Sequence, residues 1–370
     1  MRKKILFLIP TMMNGGAERV LLNLVNNLDL SIFDVSVKTV MNVGRYQHLL
    51  KPQIHYSWIF PTLRRGTRLF FYLFSPEYLY EKYIGEEYDI VVSYLEGMTA
   101  RIIAGCKNPK IKKISWIHIE LNTVRDFSMG FRSYKEAQQC YKSFNEIVCV
   151  SNSVKKSFES ISGINTNIKV LYNTNETKDI ILKKDESVND FTLDKECFNI
   201  CSVAKIVKTK GYDRLARIHK RLLDAGVKNH IYIIGTGEEQ KNIEDYLEKN
   251  GLKSNFTFLG YKENPYKYVA KCDLYVCSSL REGFSTAVTE ALILGLPVVS
   301  TNCSGAYELL GDNNEFGIVT QNNEEALYDG IYKMLTQKGL LERYKEAAKQ
   351  RALFFSTENT VKAVTNLFLS

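Results

Sequence analysis

Two glutamates stand eight positions apart in the stretch REGFSTAVTEAL, residues 281–292. The apolar run LYVCSS before it predicts a strand, and Ser285 or Thr286 can cap the helix that follows. Glu282 then lies on the loop and Glu290 about one turn into the helix. Backbone N–H groups at a helix start bind anions, and carboxylates accept hydrogen bonds from hydroxyl groups. The stretch therefore fits a sugar diphosphate. The simpler alternative is two ordinary glutamates at a helix, because the spacing alone is a weak signal.

A second loop carries two lysines. The stretch SVAKIVKTKGYDRL (202–215) begins in the strand-like run FNICSV and places Lys205 and Lys210 just before the next helix, with Gly211 at the turn. Two ammonium groups near a helix N-terminus would neutralise a diphosphate. The alternative is a pair of solvated lysines, and the position directly after a strand favours phosphate binding.

A third candidate is the pair Gly15 and Gly16, which opens a helix after the run ILFLIP. Glycines let the backbone come close to a ligand, and a helix start offers unpaired N–H groups. The spacing Gly-x-Gly-x-x-Gly is absent here, which speaks against a dinucleotide site and hence against a nicotinamide dehydrogenase. A plain tight turn is the alternative.

Strand-like runs and amphipathic helical stretches alternate along the whole chain, which predicts parallel sheets with helical crossovers. The fold class is therefore α/β, with two Rossmann-like domains divided near the polar segment 173–190. We expect a first domain over 1–175, a second over 190–350 and a final helix within 351–370. The predicted strands are 5–9, 34–40, 89–94, 113–118, 146–150 and 168–172, then 198–203, 230–235, 256–260, 274–279, 297–301 and 316–320.

These motifs resemble those of the retaining glycosyltransferases of family 4, and the resemblance covers most of the chain. The block from FLGYKENPY to GLPVVST (258–301) is its most specific part. The resemblance implies a GT-B fold: two Rossmann-like domains face each other across a cleft, and a C-terminal helix crosses back to the first. It also implies transfer of a sugar from a nucleotide sugar, a UDP-sugar in our expectation, as in bacterial enzymes that build capsule, exopolysaccharide or lipopolysaccharide.

The resemblance also assigns roles to residues. Glu282, His118 and Lys210 match catalytic positions, with His118 near the donor sugar, Glu282 on that sugar and Lys210 on the phosphates. Glu290 matches the residue that holds the ribose. The full set of implied donor-binding residues is Gly15, Gly16, Lys205, Lys210, Glu282, Gly283, Phe284, Ser285, Thr286 and Glu290.

The chain departs from the family pattern at three places. Ala204-Lys205 stands where the family usually has Gly-Arg, and lysine keeps the charge but loses the planar fork of arginine. Asn173-Thr174 replaces the usual Asn-Gly, and His118 lacks the common following aspartate. The first departure leaves room for a second hypothesis: a GT-B module that binds a nucleotide sugar or a membrane with weak or no catalysis.

The sequence predicts neither a metal nor another cofactor. It contains no Asp-x-Asp that would hold a metal-bound nucleotide sugar and no His/Cys cluster with ligand spacing. Lysines and helix dipoles would then stabilise the leaving diphosphate. The eight cysteines form no Cys-x-x-Cys pair, which favours reduced thiols and a cytoplasmic location.

Positive charge is concentrated in the first half of the chain. Residues 1–175 contain 23 lysines and arginines against 14 acidic residues, whereas the remainder is nearly neutral. The segment 62–80 adds Arg64, Arg65 and Arg68 beside an aromatic-rich run. This pattern predicts peripheral association with the anionic inner face of the plasma membrane and a glycan or polyprenyl-diphosphate-linked acceptor. The alternative for the segment is a buried element, and nucleic acid is not an expected partner.

Overall fold

A computed structural model describes residues 2–13, 15–62, 71–85, 87–190 and 192–370 of the chain. The chain divides into two compact units. Unit 1 comprises Met1–Thr174 and Thr357–Ser370, and unit 2 comprises Asn175–Ser356. Arg64, Arg65 and Arg68 of the basic aromatic segment lie outside the described residues.

Unit 1 is built on a sheet of parallel strands. In the described part of the chain the strand order is β3-β2-β1-β4-β5-β6-β7. The apolar side chains of β1, from Ile5 to Ile9, are completely buried, as expected for a central parallel strand. The strands are β1 (Lys3–Ile9), β2 (Phe33–Met41), β3 (His55–Phe60), β4 (Ile90–Ser93), β5 (Lys112–Ile117), β6 (Glu146–Cys149) and β7 (Ile168–Val170).

Helices connect the successive strands of this sheet. β1 continues to β2 on one flank while β4 lies on its other flank, so the strand order reverses between β1 and β4. In open parallel sheets, ligands bind outside the carboxyl ends of strands at such a switch point. The helices are α1 (Gly16–Asn27), α2 (Pro76–Tyr83), α3 (Met98–Ile103), α4 (Val124–Phe127), α5 (Tyr134–Lys142) and α6 (Asn152–Ser162), with a 3-10 turn at Tyr46–Leu49.

Unit 2 repeats this architecture with six strands in its described residues, in the order β10-β9-β8-β11-β12-β13. Its switch point lies between β8 and β11. The elements are α7 (Thr177–Lys184), β8 (Phe198–Val203), a 3-10 turn (Lys208–Lys210), α8 (Tyr212–Asp224), β9 (Asn229–Ile234), α9 (Gln240–Lys249), a 3-10 turn (Lys253–Asn255), β10 (Phe256–Gly260), α10 (Tyr266–Val269), β11 (Leu274–Cys277), α11 (Thr286–Ile293), β12 (Val298–Thr301), α12 (Ala306–Leu310), β13 (Ile318–Thr320), α13 (Glu324–Thr336) and α14 (Leu340–Phe354).

The last helix, α15 (Thr357–Leu369), belongs to unit 1 although it follows unit 2 in the chain. Phe368 makes edge-to-face contacts with Phe7 and Phe33, each with a centroid separation of 5.9 Å. The Lys112 ammonium donates to the carbonyl of Leu367 at 2.7 Å. Buried aromatic contacts thus fix the C-terminal helix to the first sheet.

The expected domain limits differ from the observed units at two places. The segment before residue 190 contains α7, whose buried Ile180 packs with Tyr266, Ile293 and Ala352 in unit 2. The helix α14 continues past residue 350 to Phe354. Its Ala352 belongs to the same apolar cluster, which holds this part of the helix in unit 2. Unit 2 therefore begins at Asn175 rather than 190 and extends to Ser356 rather than 350.

One further strand, β3, was not expected from the sequence. Among the described strands it pairs only with β2, at the sheet edge, and all its residues are exposed or half-buried. An edge strand needs no continuous apolar run, so the pattern that revealed its neighbours is absent.

Candidate functional site

Two of the residues predicted to bind the donor in unit 2, Lys210 and Glu282, meet at its switch point. The Lys210 ammonium contacts Oε1 of Glu282 at 2.6 Å, and the Ser279 hydroxyl donates to the same oxygen at 2.6 Å. The side chains of Lys210 and Glu282 are 23% and 14% exposed. The structure thus joins two residues that are 72 positions apart into a half-buried ion pair at the ends of β8 and β11.

The two loops that carry this pair are locked together by backbone contacts. The Ser278 hydroxyl donates to the carbonyl of Lys210 at 2.8 Å, and the Leu280 N–H donates to the carbonyl of Thr209 at 2.7 Å. Gly211 has a left-handed backbone with φ 64°, and a Cβ there would lie 2.2 Å from the Ser278 carbonyl oxygen. Only glycine permits this approach without strain.

A buried arginine supports the loop that follows β11. Arg214, in the first turn of α8, is 5% exposed. Its Nε donates to the carbonyl of Ser278 and its Nη2 to that of Ser279, both at 2.9 Å, while the Thr301 hydroxyl donates to the latter carbonyl at 2.6 Å. Burial lowers the pKa of the Arg214 guanidinium. A fixed cation therefore anchors the carbonyl groups at the end of β11.

The loop from Gly283 leads directly into α11. Ser285 caps the helix: its hydroxyl accepts a hydrogen bond from the Val288 N–H at 3.3 Å. The Phe284 side chain is buried and contacts the Phe355 ring at a centroid distance of 5.7 Å. These side chains fix the loop, so its capacity to bind an anion resides in the backbone N–H groups of the helix start around Thr286.

Glu290 lies four residues after Thr286, and hence on the same face of α11 as the helix start. The Tyr266 hydroxyl donates to Oε1 of Glu290 at 3.2 Å. Half-buried and oriented in this way, the carboxylate is placed to bind a group that extends from the helix start along α11.

Lys205 is exposed on the loop after β8. That loop packs tightly on the β9–α9 turn: a Cβ on Gly235 would lie 2.0 Å from the Ala204 carbonyl oxygen, and one on Gly237 would lie 2.2 Å from that of Ile206. The two glycines of IIGTGEE are thus required for close backbone packing, and Lys205 is presented from a firmly supported loop.

In unit 1, Gly15 and Gly16 stand at the start of α1, beside the switch point. Neither residue needs glycine for its backbone, because Gly15 has φ −104° and Gly16 begins a regular helix. A Cβ on Gly15 would meet the Glu18 carboxyl, whereas one on Gly16 would meet no atom within 4 Å. The open space above Gly16 is compatible with close approach of a ligand to the backbone.

His118 follows β5 in the same unit and is 7% exposed. Burial lowers the pKa of its imidazole to about 3, so the ring is neutral at physiological pH. Its Nε2 is buried without a hydrogen-bond partner among the described residues. The ring packs on Tyr94 at a centroid distance of 4.9 Å. The predicted site residues therefore form two sets, one in each unit.

Comparison with known proteins shows which families the sequence matches. Residues 14–178 match the family described as Glycosyltransferase Family 4, and residues 183–351 match Glycosyl transferases group 1. The chain thus consists of a Glycosyltransferase Family 4 region followed by a Glycosyl transferases group 1 region. Both matches are to enzyme families, so the chain is a glycosyltransferase, and the resemblance seen in the sequence is confirmed.

Two relatives and one solved structure illustrate the similarity. A Campylobacter jejuni N-acetylgalactosamine-N,N'-diacetylbacillosaminyl-diphospho-undecaprenol 4-alpha-N-acetylgalactosaminyltransferase is 35% identical over 50% of this chain and 49% of its own length. The Staphylococcus aureus capsular polysaccharide biosynthesis glycosyltransferase CapM is 26% identical over 42% of this chain and 41% of its own length. The matched regions thus span half or less of these relatives.

The structure of Anabaena HepE in complex with UDP matches 99% of both chains with a TM-score of 0.78 at 18% identity. This likeness is one of fold, and it confirms the GT-B class, with two Rossmann-like domains of parallel strands.

Two residues of the glycosyltransferase were not foreseen. Arg214 stands among the apolar positions of α8, and a charge inside an apolar stripe was the available signal. Glu96 follows β4 in unit 1, and its Oε2 accepts a hydrogen bond from the His118 backbone N–H at 3.0 Å. A single glutamate after a strand does not predict a hydrogen bond to the backbone of a neighbouring strand.

In the described part of segment 62–80, two arginines donate hydrogen bonds to backbone carbonyls. The carbonyls of Phe71 and Phe74 accept from the buried Arg101 at 2.6 and 2.9 Å, and that of Leu73 accepts from Arg132 at 3.0 Å. Phe71 is buried, whereas Leu73 is 68% exposed. This part of the segment thus combines a buried anchor with an exposed apolar side chain.

The described residues of the glycosyltransferase include neither a helix that could span a membrane nor a cluster of side chains that could hold a metal ion. None of its described helices is long and apolar enough to span a bilayer. No group of three or more His, Cys, Asp or Glu side chains among these residues is placed to hold a metal ion.

Proposed function

We propose that this glycosyltransferase transfers a sugar from a UDP-sugar, with retention of anomeric configuration and without a divalent metal, to a polyprenyl-diphosphate-linked glycan in the synthesis of a cell-surface polysaccharide. The observation that carries the proposal is the Lys210–Glu282 pair at the start of α11, with Glu290 one turn further along. A cation, a helix start and two carboxylates match the diphosphate, sugar and ribose of one donor.

The site supplies three functions for this reaction. The helix start, Lys205 and Lys210 stabilise the negative charge that develops on the departing UDP. Glu282 accepts hydrogen bonds from donor-sugar hydroxyls, and Lys210 keeps its carboxylate oriented. Glu290 accepts hydrogen bonds from the ribose hydroxyls. The buried Arg214 maintains this geometry from beneath.

In the proposed chemical step the leaving diphosphate itself acts as the base. The acceptor oxygen approaches C1 on the face that the diphosphate leaves, and the acceptor proton passes to a departing phosphate oxygen. The bond from C1 to the phosphate oxygen breaks as the bond from C1 to the acceptor oxygen forms, which retains configuration. The His118 imidazole is neutral, and its Nε2 lacks a hydrogen-bond partner in the described part of the chain, so the ring serves as a hydrogen-bond partner of a sugar hydroxyl.

Similarity supports the choice of donor and acceptor. The structural neighbour contains UDP, and the Campylobacter relative is named for transfer of N-acetylgalactosamine to a diphospho-undecaprenol saccharide. The charge excess of residues 1–175 supports work at the anionic inner membrane surface, with a lipid-linked acceptor delivered there.

A second function is favoured by one observation. Ala204-Lys205 lacks the planar guanidinium that the family usually places on the phosphates, which is compatible with a weakly active or inactive nucleotide-sugar-binding module. Such a module would bind UDP and leave the donor intact.

Product formation separates the two functions. Purified protein is incubated with UDP-glucose, UDP-galactose, UDP-N-acetylglucosamine or UDP-N-acetylgalactosamine, with and without a polyprenyl-diphosphate-linked N-acetylgalactosamine. Extension of the lipid-linked sugar by an α-linked residue from one donor supports the proposal. UDP binding without any transfer or donor hydrolysis supports the inactive module.

A further inference from the structure

The loop after β4 is held unusually firmly at the switch point of unit 1. The Thr99 hydroxyl donates to the carbonyl of Leu95 at 2.6 Å, and the Ser93 hydroxyl lies 2.9 Å from that of Thr99. Gly97 has φ 86°, and a Cβ there would lie 2.7 Å from the Met129 carbonyl oxygen. The residue between these fixed points, Glu96, therefore has little freedom to move its backbone.

The Glu96 side chain is half-buried, and its carboxyl is held by a backbone hydrogen bond. Oε2 accepts the His118 backbone N–H at 3.0 Å, and burial raises the pKa of the carboxyl. No ion pair with a lysine, arginine or histidine joins it among the described contacts of unit 1. A desolvated carboxyl of this kind binds hydrogen-bond donors strongly, because water competes with them less effectively.

The neighbouring imidazole is a second polar group with unused hydrogen-bonding capacity. The His118 Nε2 is buried without a hydrogen-bond partner among the described residues. Burial keeps the ring neutral by lowering its pKa to about 3. A carboxyl and an imidazole nitrogen thus stand at the adjoining ends of β4 and β5.

We propose that Glu96 is an acceptor-binding residue whose carboxyl accepts a hydrogen bond from a hydroxyl group of the acceptor saccharide. The inference rests on the proposed function, since it requires a saccharide acceptor on unit 1. The ligand chemistry follows from the groups present. A carboxyl beside a neutral imidazole suits hydroxyl donors and repels a diphosphate, so the terminal sugar, rather than the diphosphate, occupies this corner.

The test compares Glu96→Gln and Glu96→Ala with a matched control, Glu81→Gln, at an exposed position of α2. Initial rates are measured against the concentration of polyprenyl-diphosphate-linked N-acetylgalactosamine at saturating UDP-sugar. UDP affinity is measured by calorimetry on the same preparations. We expect the KM for the acceptor to rise about tenfold in Glu96→Gln and further in Glu96→Ala, as for a lost hydrogen bond to a charged group. UDP affinity stays within about twofold of the wild type.

An acceptor KM that is unchanged in folded Glu96→Gln overturns the proposal, as does a loss of UDP affinity equal to the rise in KM. The glutamine variant keeps the shape and one carbonyl acceptor, so it remains informative if the alanine variant does not fold. Failure of the proposed function is seen separately, as absence of UDP binding by the wild-type protein, and would overturn both proposals.

Discussion

At the scale of single residues, the proposed donor site depends on a few charged side chains in half-buried surroundings. Glu282 accepts hydrogen bonds from both Lys210 and Ser279, so its carboxylate is oriented before any ligand arrives. Preorganised charges of this kind lower a barrier more effectively than flexible ones, because no reorganisation is needed during the reaction.

The first prediction concerns this carboxylate. Glu282→Gln removes the charge while preserving the shape, and we expect kcat to fall at least tenfold, since a charged hydrogen bond contributes about 1.5–3 kcal/mol. Steady-state transfer kinetics measure the effect. Glu248→Gln, at an exposed position of α9, is the matched control and retains wild-type rates. Equal kinetics in both folded variants would remove Glu282 from the site.

The second prediction uses the buried imidazole of His118. Its folded pKa of about 3 lies below the unfolded value near 6.5, so the unfolded state binds more protons between these values. Stability is therefore lost as pH falls through this window, by about 2.5 kcal/mol between pH 7 and pH 4.5. Urea unfolding at the two pH values should show a smaller loss in His118→Gln than in the wild type. The exposed His48→Gln should match the wild type, and a wild-type-like loss in His118→Gln would contradict the assignment.

At the scale of elements, the site depends on how α8, β11 and their loops fit together. The third prediction is that Arg214→Met destabilises unit 2 by about 3 kcal/mol and weakens UDP binding, because buried carbonyls of Ser278 and Ser279 lose their donor. Arg217→Met is the control on the same helix. Arg217 forms exposed ion pairs with Asp213 and Glu324, so its loss costs less than about 1 kcal/mol. Similar thermal unfolding of the two variants would show that Arg214 is not an anchor.

The fourth prediction concerns the tight contact at Gly211. Gly211→Ala forces a side chain into a left-handed position against the Ser278 carbonyl, and we expect a loss of at least about 2 kcal/mol together with lower transfer activity. Gly226 also has a positive φ of 81°, but a Cβ there meets nothing within 4 Å. Gly226→Ala should therefore be milder and keep its activity. Calorimetric melting and transfer assays on both variants decide the point.

The sequence predicts most strands because buried parallel strands appear as short apolar runs, as in ILFLI and FNICSV. It does not predict β3, an edge strand without such a run, or α7, whose single buried residue is Ile180. Local patterns placed Lys210 and Glu282 on loops after strands. Their mutual contact follows from the adjacency of β8 and β11, which is a property of the sheet order and not of either local stretch.

At the scale of the whole molecule, charge separates the two halves of the chain, and the fifth prediction follows from it. We expect the protein to sediment with anionic liposomes at low salt, much less with neutral ones, and to be released by salt. Replacing Arg64, Arg65 and Arg68 by serine should weaken binding, at about 1 kcal/mol per residue near the surface.

The control for this experiment replaces three exposed lysines of unit 2, Lys241, Lys249 and Lys253, by serine, which removes the same charge from the other half of the chain. It should bind liposomes like the wild type. Binding that ignores lipid charge and salt, or an equal loss in both triple variants, would argue against a membrane-facing first half.

The central claim is that the start of α11 in unit 2 binds the nucleotide part of the donor without a metal. Titration of UDP into the wild-type protein, Glu290→Gln and Glu248→Gln, all in excess EDTA, tests it most directly. The account predicts that the wild type and Glu248→Gln bind UDP with the same affinity, and that Glu290→Gln binds at least tenfold more weakly. Binding that requires added magnesium or manganese, or equal affinity in all three proteins, would contradict it.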